Sequence, residues 1–68
     1  MISYRPLWNT MHDKGVTTYT LRFKYKISHS TVERLQKDEP VSTYTVDRLC
    51  KLLGCGLNDI MEYIPDEE

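Results

Sequence analysis

Residues 18–36 leave this chain few folds to choose from, because their apolar positions follow a helical register that breaks once. Leu21 and Tyr25 stand one helical turn apart, Val32 and Leu35 stand one turn apart again, and Ile27 falls off the face that the first pair defines. One continuous helix cannot bury all five. The pattern predicts two short helices meeting at an angle, over residues 18–25 and from Ser28 or His29 to Lys37. Ser28 is a good N-cap for the second, and the surface positions after it are short or polar: His29, Ser30, Thr31, Glu33 and Arg34. A helix with such an end can enter a DNA major groove.

The rest of the chain reads as further short helices. Pro6 suits a first helical turn, Leu7, Trp8 and Met11 make an apolar face, and Gly15 suits a position just past a helix end, so a helix is expected over residues 6–14. Thr17 or Thr18 would cap the next helix, whose β-branched and aromatic content makes it weak by propensity and gives strand as the competing reading. Asp38-Glu39-Pro40 ends the helix that starts near Ser28, since a residue before proline disfavours helix. Ser42 then caps a fourth helix with Val46, Leu49, Cys50 and Leu53 at i, i+3, i+4 and i+7, and Gly54 stops it. A fifth is expected from Leu57 or Asn58 to Tyr63, with residues 63–68 as a frayed acidic tail. The expected core is Leu7, Met11, Leu21, Ile27, Val32, Leu35, Val46, Leu49, Leu53, Leu57 and Ile60.

Length and charge bound what such a set of helices can do. At 68 residues a single domain, residues 1–68, is expected, and a chain this short has no cleft between domains. No apolar run approaches a membrane helix and no secretory leader is visible, so no membrane partner and a cytoplasmic location are expected. The net charge of −1 hides a partition: residues 22–37 hold five cations against Glu33 alone, a net of +4, whereas residues 38–68 hold eight acids against two cations, a net of −6. Positive charge therefore gathers on the bihelical unit.

Cys50 and Cys55 are the only cysteines, expected to pack as small hydrophobes in a reducing compartment. With His12 and His29 they lack the paired spacings of a zinc site, so neither metal nor cofactor is expected. No nucleophile stands with a plausible base, no carboxylates are paired in a pocket, and no glycine-rich loop cradles phosphate, which argues against an enzyme.

The run from Leu21 through Tyr25-Lys26-Ile27-Ser28 and Ser30-Thr31-Val32 to Leu35, followed by Val41-Ser42, Thr45-Val46, Leu49-Cys50, Leu53, Cys55 and Asp59-Ile60-Met61-Glu62-Tyr63, resembles the Cro/C1-type (Xre-like) helix-turn-helix regulators of bacteria and their phages. That resemblance implies an all-α, compact five-helix fold of the lambda-repressor type, with the helix-turn-helix running from about Thr18 to Lys37. It also implies a sequence-specific transcriptional regulator, in many cases a repressor, that binds palindromic double-stranded operator DNA as a homodimer. Two positions depart from the family pattern. Lys26 stands where glycine often takes a left-handed backbone, and Arg22 stands where a small residue often lets the two helices approach.

A helix-turn-helix lays the start of its second helix against base edges while the first helix crosses the backbone. His29, Ser30, Glu33 and Arg34 are accordingly the candidates for base contact. Thr18, Lys24, Lys26, Thr31, Lys37, Ser42 and Thr43 are the candidates for phosphate contact. Plainer roles compete for several of them: Ser28 and Ser42 as caps, His29 as a solvated surface side chain, and Glu33 with Lys37 as an i,i+4 pair. The acidic half after Asp38 motivates the alternative function, an antitoxin or protein-interaction module with a protein partner and little DNA affinity.

Overall fold

Three of the helices end in the same way. In a computed structural model, which describes residues 1–66, the chain runs β1 (Ile2–Ser3), α1 (Arg5–Asp13), a π-helix (Thr20–Lys24), α2 (His29–Gln36), α3 (Thr43–Leu53), a 3-10 turn (Leu57–Asp59) and β2 (Glu62–Tyr63). Gly15, Asp38 and Gly54, just past α1, α2 and α3, take left-handed backbone at φ of 69°, 56° and 62°. The amide after each donates back to the carbonyl five residues earlier: Val16 to Met11 at 2.8 Å, Glu39 to Arg34 at 2.8 Å and Cys55 to Cys50 at 3.1 Å. This six-residue closure satisfies carbonyls that a helix end would otherwise leave unpaired, and it reverses the chain in very few residues. Glycine supplies the turn twice. Asp38 supplies it once, and its carboxylate is put to use: Oδ1 accepts the Tyr4 amide at 2.9 Å.

At their other ends α2 and α3 are capped by serine, as the sequence indicates. Ser28 Oγ accepts the Thr31 amide at 3.3 Å and Ser42 Oγ accepts the Thr45 amide at 3.2 Å. Of the two cap candidates before the π-helix, Thr17 does the work, its Oγ1 accepting the Thr20 amide at 3.3 Å.

Helices enclose a core of Leu7, Met11, Leu21, Ile27, Val32, Leu35, Val46, Leu49, Leu53 and Ile60, all of them expected, together with Tyr4, which was not. Tyr4 is buried because its polar end is satisfied: the hydroxyl donates to the Glu39 carbonyl at 3.0 Å, so the ring ties the N-terminal segment to the end of α2. Leu57 is the correction in the other direction. It is 56% exposed, since the fifth helix expected to turn it inward does not form.

That helix is reduced to the single 3-10 turn Leu57–Asp59. The carbonyls that would carry it onward are taken by α1: Thr10 Oγ1 donates to Asp59 O at 2.9 Å, and the Leu7 amide donates to Ile60 O at 3.2 Å. Residues beyond are drawn into extended backbone instead. β2 pairs antiparallel with β1, Tyr63 opposite Ile2 and Glu62 opposite Ser3, a small sheet that the all-α expectation lacked. Two-residue strands are too short for an alternating pattern to announce them. Tyr63 and Ile64 therefore do not fray as expected, for the Ile64 amide also donates to Met1 O at 2.8 Å. Residues 67 and 68 of the expected tail lie outside the described part.

Candidate nucleic-acid interface

The predicted break in register is real, and its geometry is a π-helix followed by a left-handed residue. The Tyr25 amide donates to Thr20 O, five residues back, at 3.1 Å, and the Ile27 amide donates to Leu21 O, six back, at 3.0 Å. Lys26 makes the turn at φ of 61°, in the left-handed conformation that the glycine-favouring position calls for. The widened turn keeps Leu21 and Ile27 both buried although one straight helix could not. Arg48 of α3 fixes the corner, its Nη2 donating to the Tyr25 carbonyl at 2.7 Å. Arg22 answers its close packing by reaching outward, with its guanidinium 4.9 Å from the centre of the Phe23 ring.

α2 emerges from this corner with its first turn in solvent. His29 and Ser30 are exposed and Thr31 is half-buried, all within the helix that Ser28 caps. Ser28 Oγ also donates to Thr31 Oγ1 at 2.9 Å and lies 3.2 Å from Ser30 Oγ, so the hydroxyls of this turn are already organised as one cluster. Lys24 and Lys26 are exposed beside the turn, and Thr18 is half-buried ahead of the π-helix. Ser42 and Thr43, at the start of α3, are exposed as well.

Glu33 is half-buried and sits between a lysine and a histidine, each one turn away. Its Oε1 lies 3.0 Å from Lys37 Nζ and its Oε2 3.3 Å from His29 Nε2. The hydrogen bond from Lys37 first, then the Lys37 charge and His29, hold the Glu33 carboxyl below the usual glutamate range, and Glu33 in turn raises Lys37. A carboxylate so engaged offers less accepting capacity to a base than the sequence alone suggests. Arg34 is exposed further along the helix, where Ser30, Glu33, Arg34 and Glu39 line a shallow concavity of about 190 Å³.

Two features beside the site lie outside the predicted contact residues. Tyr19 and Phe23 form an aromatic pair, ring centres 4.7 Å apart, at 71% and 51% exposure on the outer side of the π-helix. Tyr44 stands out at 69% exposure beside Thr43. Aromatic residues in a weak helix read as core from sequence, and only the phase of the π-turn reveals which of them point away. Among the described residues no group of three or more His, Cys, Asp or Glu is placed to hold a metal ion. None of their helices is long and apolar enough to cross a membrane.

Comparison with known proteins agrees with this architecture. The profile of the Cro/C1-type HTH DNA-binding domain matches residues 6–66. A solved structure, the crystal structure of the transcriptional regulator VanUg (Form II), superposes with a TM-score of 0.88 at 34% sequence identity, over 96% of this chain and 87% of that one. No curated protein sequence matches significantly. The corner of Lys26, the capped α2 behind it and these likenesses agree: the chain belongs to the family of Cro/C1-type helix-turn-helix DNA-binding domains.

Proposed function

We propose that the protein is a transcriptional repressor that reads a palindromic operator as a homodimer, with α2 in the major groove. The observation that carries this reading is the exposed, serine-capped first turn of α2, which offers His29, Ser30 and Thr31 beside the cations Lys24, Lys26 and Lys37. A transcriptional regulator of the same fold at 34% identity supports it. His29 and Ser30 meet base edges, and Arg34 meets a guanine or a phosphate at the rim of the contact. Glu33 accepts from cytosine only when it gives up one of its two partners, Lys37 or His29. Thr18, Thr31, Ser42 and Thr43 donate hydroxyls or backbone amides to phosphate, while the three lysines neutralise it.

A titration of fluorescent duplex DNA carrying the protein's own upstream sequence, repeated across salt concentrations, tests the proposal. Specific binding that weakens log-linearly with salt is expected. Equal affinity for that duplex and for unrelated DNA would contradict sequence-specific reading. The second reading, a protein-interaction module, is favoured by the exposed Tyr19–Phe23 pair with Arg22 stacked on it. Co-purification of the product of a neighbouring gene, with no DNA affinity, would select it.

A further inference from the structure

We propose that Cys50 and Cys55 are a site of reversible oxidation, forming an intramolecular disulfide that clamps the C-terminal end of α3 when a low-molecular-weight disulfide such as oxidised glutathione is the oxidant. The argument begins with the shared helix ends. This closure brings the two residues joined by the six-residue bond side by side, and an apolar contact between them frequently accompanies it. In α1 that pair is Met11 and Val16, both apolar; in α2 it is Arg34 and Glu39, of opposite charge; in α3 it is two thiols. The 3.1 Å bond from the Cys55 amide to Cys50 O keeps the backbones close. With the covalent bonds on either side of it, a contact of that length limits the Cα separation to roughly 7 Å, about the upper limit at which a disulfide can form without backbone movement.

Both thiols are free and half-buried, so neither is sealed in the core. Cys55 opens onto a surface cavity of about 400 Å³ that Thr10, Asp13, Lys14, Gly54 and Asp59 also line. Burial pushes the Cys55 thiol up, the neighbouring Cys50 and Asp59 add to the shift, and Lys14 opposes it. Cys55 is therefore a poor first attacker. The sequence of events follows: the Cys50 thiolate attacks glutathione disulfide and expels one glutathione, leaving a mixed disulfide on Cys50. The Cys55 thiolate then attacks the Cys50 sulfur and expels the second glutathione. The two protein thiols lose two electrons and two protons, and one glutathione disulfide becomes two glutathiones. The second step is intramolecular, which offsets the poor nucleophile.

The test incubates the full chain with oxidised glutathione and measures intact mass and free thiols. The expected product is a single chain lighter by two hydrogens, with no titratable thiol, formed to the same extent after dilution and reversed by dithiothreitol. Persistent free thiols, stable glutathione adducts or bridges between two chains would overturn the assignment. Cys50→Ser and Cys55→Ser should each stop at one glutathione adduct, and the wild-type mass result stands whether or not they fold. The oxidised chain should melt several degrees above the reduced chain, with slower amide exchange at Gly54 and Cys55. An unchanged or lowered Tm would overturn the clamping role.

Discussion

Arg48 and Tyr25, 23 positions apart, are joined by a 2.7 Å hydrogen bond from the guanidinium of one to the backbone carbonyl of the other. The bond is half-buried and closes the end of the π-helix, where a carbonyl would otherwise lack a helical partner. Through it α3 sets the corner from which α2 departs. Arg48→Ala should cost about 1.5–3 kcal/mol, the usual range for a hydrogen bond to a charged group, with the lower end expected because water reaches the site. Arg48→Lys should recover only part of the loss, since an ammonium does not reproduce the fork of the guanidinium. Urea denaturation of the three proteins measures both differences.

Lys26 adopts φ of 61° without being glycine, and a left-handed conformation costs a residue with a side chain roughly 1–2 kcal/mol. Lys26→Gly should therefore stabilise the fold, by up to about 1 kcal/mol once the greater freedom of unfolded glycine is counted. If Lys26 also meets a phosphate, the same change should reduce the slope of log affinity against log salt by about 0.9. The two readouts separate the structural role of this residue from its charge. A variant that is less stable than the parent would contradict the first.

Tyr4 links pH to stability. Burial is the main reason its phenol is raised above the ordinary value of 10.0, with Asp38 adding to the shift and the Val41 backbone opposing it. The folded chain thus holds this proton where the unfolded chain has released it. The stability it contributes is fully present below pH 10 and is lost as pH rises from there through the higher folded value. Alkaline melts should show falling Tm in that window, and Tyr4→Phe should flatten the fall. The same variant should lose about 1 kcal/mol at neutral pH, because the Glu39 carbonyl then lacks the hydroxyl.

Leu57 and Ile60 are both apolar and three positions apart, yet one is 56% exposed and the other fully buried. Ile60→Ala should cost about 2–5 kcal/mol, whereas Leu57→Ala should stay within about 0.5 kcal/mol of the parent. Comparable losses would mean that the fifth helix forms in solution after all.

This pair also marks where the sequence is legible and where it is not. The amphipathic run of α3 and the serine caps at Ser28 and Ser42 are local signals, and local signals survive into the structure. The fate of Leu57 depends on Thr10 and Leu7, distant in sequence, which take the carbonyls of Asp59 and Ile60. No window around Leu57 contains that competition. At the interface, the polar start of α2 is readable from residue order, whereas the left-handed backbone at Lys26 is indicated only by the family resemblance. The π-helix is not, because nothing in its composition distinguishes five-residue spacing from four, and the outward phase of the Tyr19–Phe23 pair is set by that spacing. Glu33 shows a similar limit: the i,i+4 spacing offers it both His29 and Lys37, while which carboxylate oxygen meets which partner is a matter of rotamers.

The proposed reading of DNA sequence by α2 is tested most directly by selection of bound duplexes from a random pool by the purified full chain. Enrichment of a two-fold symmetric motif with half-sites about one helical turn apart, roughly 34–36 Å, is the predicted result. Arg34→Ala in the same selection should relax preference at one position of each half-site if Arg34 touches a base, at a cost of about 1–3 kcal/mol. A pool that stays random after repeated rounds, with the protein folded throughout, would contradict the account.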